Sequence, residues 1–532
     1  MKNKVALFIL LCISFSVQAQ SIIGPGKEVD PYHYTSVKYT TYSKACVASA
    51  HPLASEVGVA IMRRGGNAFD AMIATQLALA VVYPGAGNIG GGGFLMGRGS
   101  NGQLVALDYR EEAPSKASRD MYLDKNGNAQ NNLSQNGHLS SGVPGTVAGL
   151  FATMKYAKLS FKDLIQPAID LAEKGFVITQ HEASGLNATK NDFLKYSTKP
   201  SAFVKDRLWR AGDTLTQPEL AETLKRIRDN GAKGFYEGET AKLIVEEMKR
   251  GDGLITYDDL KNYVARERKP IEFDYRSYHV ISFPPPSSGG ILIAQMLKMI
   301  EKYPVSTYGF QSVKSVQLMI EAERRAYADR AAHLGDPDFW KVPTQTLISN
   351  AYLAERMKNY DPNHASKSED INAGVIHESK ETTHISIFDA DGNMVAVTTT
   401  LNNGYGSRTV VGGAGFLLND EMDDFSIKPG VPNMYGAIGG DANAIAPNKR
   451  MLSSMTPTLV LKKDKPFIVV GTPGGTTIPT SVFQSIVNIV DFNMNADDAV
   501  NKPKFHHQWL PDEVEIENDF PSTTKAELEK MG

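Results

Sequence analysis

At 532 residues, with 42% hydrophobic and 22% charged side chains, the chain has the composition of a folded soluble protein, which excludes disorder as its dominant state. Its net charge of -3 supplies no basic field for nucleic acid or an anionic membrane, so the expected partner is a small molecule, with no nucleic acid and no membrane. The length suits either several domains or one large layered fold.

The first residues, MKNKVALFILLCISFSVQAQ, place two lysines before an apolar run from Val5 to Val17, with Val17 and Ala19 at the positions a signal peptidase reads. The pattern predicts a signal peptide over residues 1–19 and an exported protein, periplasmic or secreted. The run is shorter than the ~20 residues that span a bilayer. Cys12 lies within it, so Cys46 is the only cysteine expected in the mature chain, and no intramolecular disulfide is expected.

Helical periodicity follows over Ala54 to Arg64 and over Ala68 to Tyr83, the second nearly all apolar and stopped by Pro84. GNIGGGGFLMG, Gly87 to Gly97, lacks both the lysine of a phosphate loop and the spacing of a dinucleotide fingerprint. It reads as backbone packed closely beside a buried site. Further helices are predicted over Gly145 to Tyr156, Phe161 to Lys174, Gln217 to Gly231, Thr240 to Arg250, Gly290 to Glu301 and Ser312 to Gly335, with short strands near Leu104 to Tyr109 and Tyr278 to Phe283. Leu353 to Lys380 is polar and charge-rich, as expected of a solvated connector. Beyond it the pattern becomes strand-rich, with strands over Thr383 to Phe388, Met394 to Thr400, Thr458 to Lys462 and Phe467 to Gly471.

Within ETTHISIFDADGNMVAVTTTLN, Ile385 and Ile387 alternate with His384 and Ser386, and Asp389 to Asn393 supplies turn residues. A hairpin that sets Phe388 against Met394 brings Thr382 to face Thr400. A threonine hydroxyl needs an adjacent base to act as a nucleophile. Were the chain cut between Glu381 and Thr382, the new α-amino group, with a pKa of about 7.7 to 8.0, would be such a base on the same residue. Threonine also favours strands, and for the hairpin taken alone that is the simpler explanation.

The hairpin keeps company with HPLAS, GGNAFDA, GNIGGGGF, NDEMDDFSIKPGVPNMYG, GGDANAIAPNKRMLSSMTPT and GTPGG. In this order, from about Ala48 to Trp509, the chain closely resembles the γ-glutamyltransferase family. The resemblance implies an α+β fold, the four-layer αββα sandwich of N-terminal nucleophile hydrolases. It also implies a precursor that cuts itself into a large subunit (residues 20–381) and a small one (residues 382–532), which stay together as a heterodimer. The family continues past the position of Gly532, so the small subunit is expected to be short at its C-terminus.

Carried over residue by residue, the resemblance makes Thr382 the nucleophile and Glu381–Thr382 the cleaved bond, with Thr400 supporting the hydroxyl. Arg110 matches the arginine that grips the donor's α-carboxylate, with Ser453 and Ser454 as further donors; a guanidinium fork suits that group. Asn402, Glu421 and Asp424 match the positions around the donor's α-ammonium. Gly474 and Gly475 match the oxyanion-hole positions. Tyr435 falls in the stretch resembling the family's lid loop. Taken singly, Arg110 also reads as a surface ion pair, Asp423 and Asp424 as a solvated turn, and the two glycines as a tight bend between strands. His506 and His507 have no metal-binding spacing around them and read as packing residues; neither metal nor cofactor is expected.

The implied reaction transfers the γ-glutamyl group of glutathione, or of another γ-glutamyl compound, to water or to an amino-acid or peptide acceptor. The alternatives are a related acylase, a poly-γ-glutamate depolymerase, or a catalytically silent periplasmic binding protein.

Overall fold

A computed structural model of the chain describes residues 29–36, 38–371, 382–428 and 440–532. The expected signal peptide, Glu381 and Tyr435 lie outside the described residues. Ten strands build two antiparallel sheets. In chain order they are β1 (Cys46–Ala48), β2 (Gly92–Arg98), β3 (Leu104–Asp108), β4 (Arg266–Glu267), β5 (Ile271–Tyr275), β6 (Tyr278–Ser282), β7 (Thr383–Phe388), β8 (Met394–Thr400), β9 (Thr458–Lys462) and β10 (Lys465–Val470). The six-stranded sheet runs β1-β7-β8-β2-β3-β4 and the four-stranded sheet β10-β9-β6-β5.

The hairpin forms in the expected register, with Phe388 opposite Met394 and Thr383 opposite Thr399. Its turn is tied down by Asp389, whose carboxylate accepts the N–H groups of Asp391 and Asn393, each at 2.9 Å. The same carboxylate accepts the Ala68 N–H at 2.8 Å, fastening the hairpin to the start of helix α1 (Ala68–Val82). A reciprocal cap between Asn67 and Asp70 starts α1, which is buried on every side and covers the outer face of the six-stranded sheet.

The inner faces of the two sheets meet through Phe94, Met96, Met394 and Ala396 against Val280, Phe283 and Leu459. The Phe94 and Phe283 rings lie 4.5 Å apart. Helices α2 (Gly289–Glu301), α3 (Val313–His333) and α4 (Thr477–Val490) close the far side. The result is helix, sheet, sheet, helix.

The glycine run packs closely, as expected: a Cβ on Gly91 would come 2.1 Å from the Thr400 carbonyl, and one on Gly93 would come 2.5 Å from that of Thr398. Two expectations need correction. The 353–380 connector is not solvated throughout: a helix runs to Arg356, Ser368 and Ile371 are buried, and the Ser368 N–H donates to Asp512 at 2.8 Å. Most other polar residues of the connector's described part, among them Lys358, Asp361, His364, Lys367 and Glu369, are exposed as expected. The later region is not strand-rich throughout: it also carries α4, 14 residues long, whose polar residues Thr477, Thr480, Ser481, Gln484, Ser485 and Asn488 recur at helical spacing.

Candidate active site

Thr382 is the residue before β7 and is 6% exposed. It stands one step past the last paired position of the hairpin, beside the end of β8 at Thr400, whose other neighbour is Gly92. The Thr400 hydroxyl accepts the Asn402 N–H at 2.8 Å, and its carbonyl accepts Asn88 Nδ2 at 2.9 Å. Asn402 has φ of 77°, a left-handed conformation that asparagine tolerates better than most residues, and it turns the chain sharply out of the sheet.

That turn brings in the carboxylates. Asn402 Nδ2 donates to the Asp420 carbonyl at 3.0 Å, and the Asp420 N–H returns to the Leu401 carbonyl at 3.0 Å. The next residues, Glu421–Asp424, form a buried turn of 3-10 helix. Arg110, just beyond β3, is 1% exposed. Its Nη1 lies 2.6 Å from Glu421, and its Nη2 donates to Asp424. Arg110 and Asp424 are therefore neither a surface ion pair nor a solvated turn. Glu111 adds a third carboxyl at 3.6 Å from the guanidinium.

Burial opposes the charge on Arg110, but Glu421, Asp424 and Glu111 together hold its pKa above the ordinary value. Burial likewise raises the carboxyls of Glu421 and Asp424 against the pull of Arg110, and pushes Glu111 up to about 8. With Glu421 keeping its proton, as its raised pKa favours, the Arg110 guanidinium and the Asp424 carboxylate balance one another at contact distance. An α-amino acid head group carries the same two charges, so it can exchange into this arrangement and leave no buried charge unpaired.

Ser453 and Ser454 lie on the loop that Arg110 holds through the Met451 carbonyl at 3.3 Å and the Leu452 carbonyl at 3.4 Å. The Ser453 carbonyl in turn accepts the N–H of Ser288 at 2.7 Å and its hydroxyl at 2.8 Å. Gly474 and Gly475 join β10 to α4, with φ of 133° and 58°. They form a bend between a strand and a helix rather than between two strands, and neither N–H donates a hydrogen bond to another described residue. Unpaired N–H groups at the start of a helix are suited to an anionic oxygen.

His384 lies on β7, two residues past Thr382. The His384 ring lies between the hydroxyls of Thr398 at 2.9 Å and Ser386 at 3.0 Å. Burial lowers its pKa to about 3, so the ring is neutral. A Cβ on Gly471 would come 2.2 Å from it, so the strand leading to GTPGG lies flat against this ring. His506 and His507 sit elsewhere, bonded to Thr480 and to the Trp509 N–H. Sequence reasoning passed over Ser288, Arg330 and His384. PPPSSGG, placed before a helix, was the one signal for Ser288; nothing local marks Arg330.

Two antiparallel sheets between helical layers, with a threonine at the head of a central strand, define the N-terminal nucleophile hydrolase class. A sequence model of the gamma-glutamyltranspeptidase family matches residues 54–532. A glutathione hydrolase proenzyme of Escherichia coli (strain K12) is 47% identical over 539 residues, covering 100% of this chain and 92% of that protein. Among solved structures, a cephalosporin acylase from Bacillus halodurans superposes with a TM-score of 0.80 at 27% identity, covering 95% of this chain and 92% of its own. The gamma-glutamyltranspeptidase of Helicobacter pylori gives a TM-score of 0.61 at 45% identity, covering 64% of this chain and 97% of its own. The chain belongs to the gamma-glutamyltranspeptidase family.

Proposed function

We propose that this chain is an exported glutathione hydrolase and γ-glutamyltransferase, made as a precursor that cuts itself between Glu381 and Thr382. The signal peptide over residues 1–19 directs it to the periplasm or the medium, and residues 20–381 and 382–532 remain together as large and small subunits. The observation that carries the substrate class is the buried pairing of Arg110 with Glu421 and Asp424, tied through Asn402 to the strand end at Thr400.

In maturation, the Thr382 hydroxyl attacks the Glu381 carbonyl and the peptide C–N bond breaks, leaving an ester and a free α-amine. Water then hydrolyses the ester and releases the Glu381 carboxylate. In turnover, that α-amine takes the hydroxyl proton as Oγ attacks the donor's γ-carbonyl. The N–H groups of Gly474 and Gly475 receive the oxyanion, and the proton passes to the departing amine nitrogen as the C–N bond breaks. Water or an acceptor amine resolves the γ-glutamyl ester. Arg110, Ser453 and Ser454 bind the donor's α-carboxylate, while Asn402, Glu421 and Asp424 bind its ammonium. Tyr435 belongs to the lid of this reading.

The likeness to a cephalosporin acylase favours a second reading, an acylase for glutaryl side chains. The two buried carboxyls argue against it, since a glutaryl group has no ammonium to meet them. Mass spectrometry of the purified protein should find a fragment beginning at Thr382, and Thr382→Ala should run as one full-length band. Two bands from that variant would rule out Thr382 as the self-cleaving residue. Release of p-nitroaniline from its γ-glutamyl derivative separates the transferase from a silent binding protein, and faster release from the glutaryl derivative would favour the acylase.

A further inference from the structure

The Met451–Met455 loop lies between two buried arginines. Arg110 holds its first half from one side. Arg330, near the end of α3 and 0% exposed, holds its second half. Arg330 Nε donates to the Ser288 hydroxyl at 2.8 Å, and that hydroxyl donates to the Ser453 carbonyl at 2.8 Å. Arg330 Nη2 donates to the Ser454 hydroxyl oxygen at 3.2 Å.

The proton inventory of the two serines follows from these contacts. The Ser453 hydroxyl oxygen accepts the Met455 N–H at 3.2 Å, and that of Ser454 accepts Arg330. Neither hydroxyl donates to another described residue. A hydroxyl has one proton, and an N–H pressed against its oxygen turns that proton away. Each serine therefore has its proton free to donate, which suits a carboxylate. Arg330 also lies close enough to feel Asp424: burial pulls the guanidinium down to about 10, and Asp424 is among the groups holding it up.

We propose that Arg330 is a positioning residue for donor recognition, which fixes the Ser454 hydroxyl as a hydrogen-bond donor and so makes the site select an α-carboxylate. The inference rests on the γ-glutamyl reading of the site. Arg330 touches no reacting atom; it acts through Ser454 and Ser288. Arg110 supplies the charge that attracts the carboxylate, and Arg330 sets the direction from which the second hydrogen bond reaches it.

The test compares L-γ-glutamyl-p-nitroanilide with its α-carboxamide analogue, in which the negative charge is lost and one acceptor oxygen becomes an NH2 donor. Parent, Arg330→Met, Arg330→Lys and Ser454→Ala proteins are measured after maturation. Arg330→Met should raise KM for the acid roughly tenfold with kcat changed less than about threefold, and should shrink the preference for acid over amide by a similar factor, as for loss of one hydrogen bond to a charged group. Arg330→Lys should recover part of that preference. Adding Ser454→Ala to Arg330→Met should cost little more. An equal loss on both substrates, or a fall in kcat alone, would assign Arg330 a structural role and overturn the proposal. If the methionine variant does not fold, Arg330→Lys and Ser454→Ala decide: full preference retained in both overturns it. Failure of the parent protein to release p-nitroaniline from the acid would instead count against the γ-glutamyl reading.

Discussion

At the scale of single residues, the site is a crowd of buried charges whose protonation must change with pH. Glu111 is 0% exposed, and burial pushes its carboxyl up to about 8 despite the neighbouring Arg110. Between its ordinary 4.5 and that value, the folded protein keeps a proton that the unfolded chain has released. Stability from this group is therefore full below the ordinary value and falls as pH rises through the window, by an amount on the order of a few kcal/mol. Glu111→Gln removes the titration. Its melting temperature should fall less between about pH 5 and about pH 9 than that of the parent protein. An unchanged difference in a scanning calorimeter would mean that Glu111 is ionised in the folded state. None of this was legible in LDYREEAP, because the largest cause is burial, which tertiary packing decides and which outweighs the adjacent Arg110.

At the scale of elements, the hairpin was the most legible part of the chain. Alternation fixes which side chains share a face, and a turn anchored by Asp389 fixes which residues face each other, so the register followed from local pattern alone. The glycine run beside it was equally legible in kind. The identity of its partner was not: Gly91 abuts the Thr400 carbonyl, and Gly93 that of Thr398. Gly91→Ala should push β2 away from the end of β8 and displace Thr400 from Thr382. We expect slowed self-cleavage, read as accumulation of full-length chain on a denaturing gel, with far-ultraviolet circular dichroism close to that of the parent. Helix α4 did carry a signal, since its polar residues Thr477, Thr480, Ser481, Gln484, Ser485 and Asn488 recur at helical spacing, and it is this helix that Gly474 and Gly475 join to β10.

At the scale of the whole molecule, the strands on either side of the Glu381–Thr382 bond interleave. β7 and β8 insert between β1 and β2, and β9 pairs with β6. Cutting the chain leaves these ladders and the shared core intact. The two subunits should co-elute on size exclusion even in salt of about 1 M, where surface ion pairs are screened. They should separate only in denaturant; separation in salt alone would show that charge, not the joint core, holds them.

The sequence by itself determined the hairpin, its register, the order of motifs and the family, because each rests on local period or on residues met in a fixed order. Only the tertiary structure decided that Arg110, Glu421, Asp424 and the Ser453–Ser454 loop form one buried cluster with Arg330 behind it. Those contacts join segments up to 342 residues apart in sequence, and no local periodicity encodes a contact at that distance. The charges are stable in the interior only because each meets its opposite there.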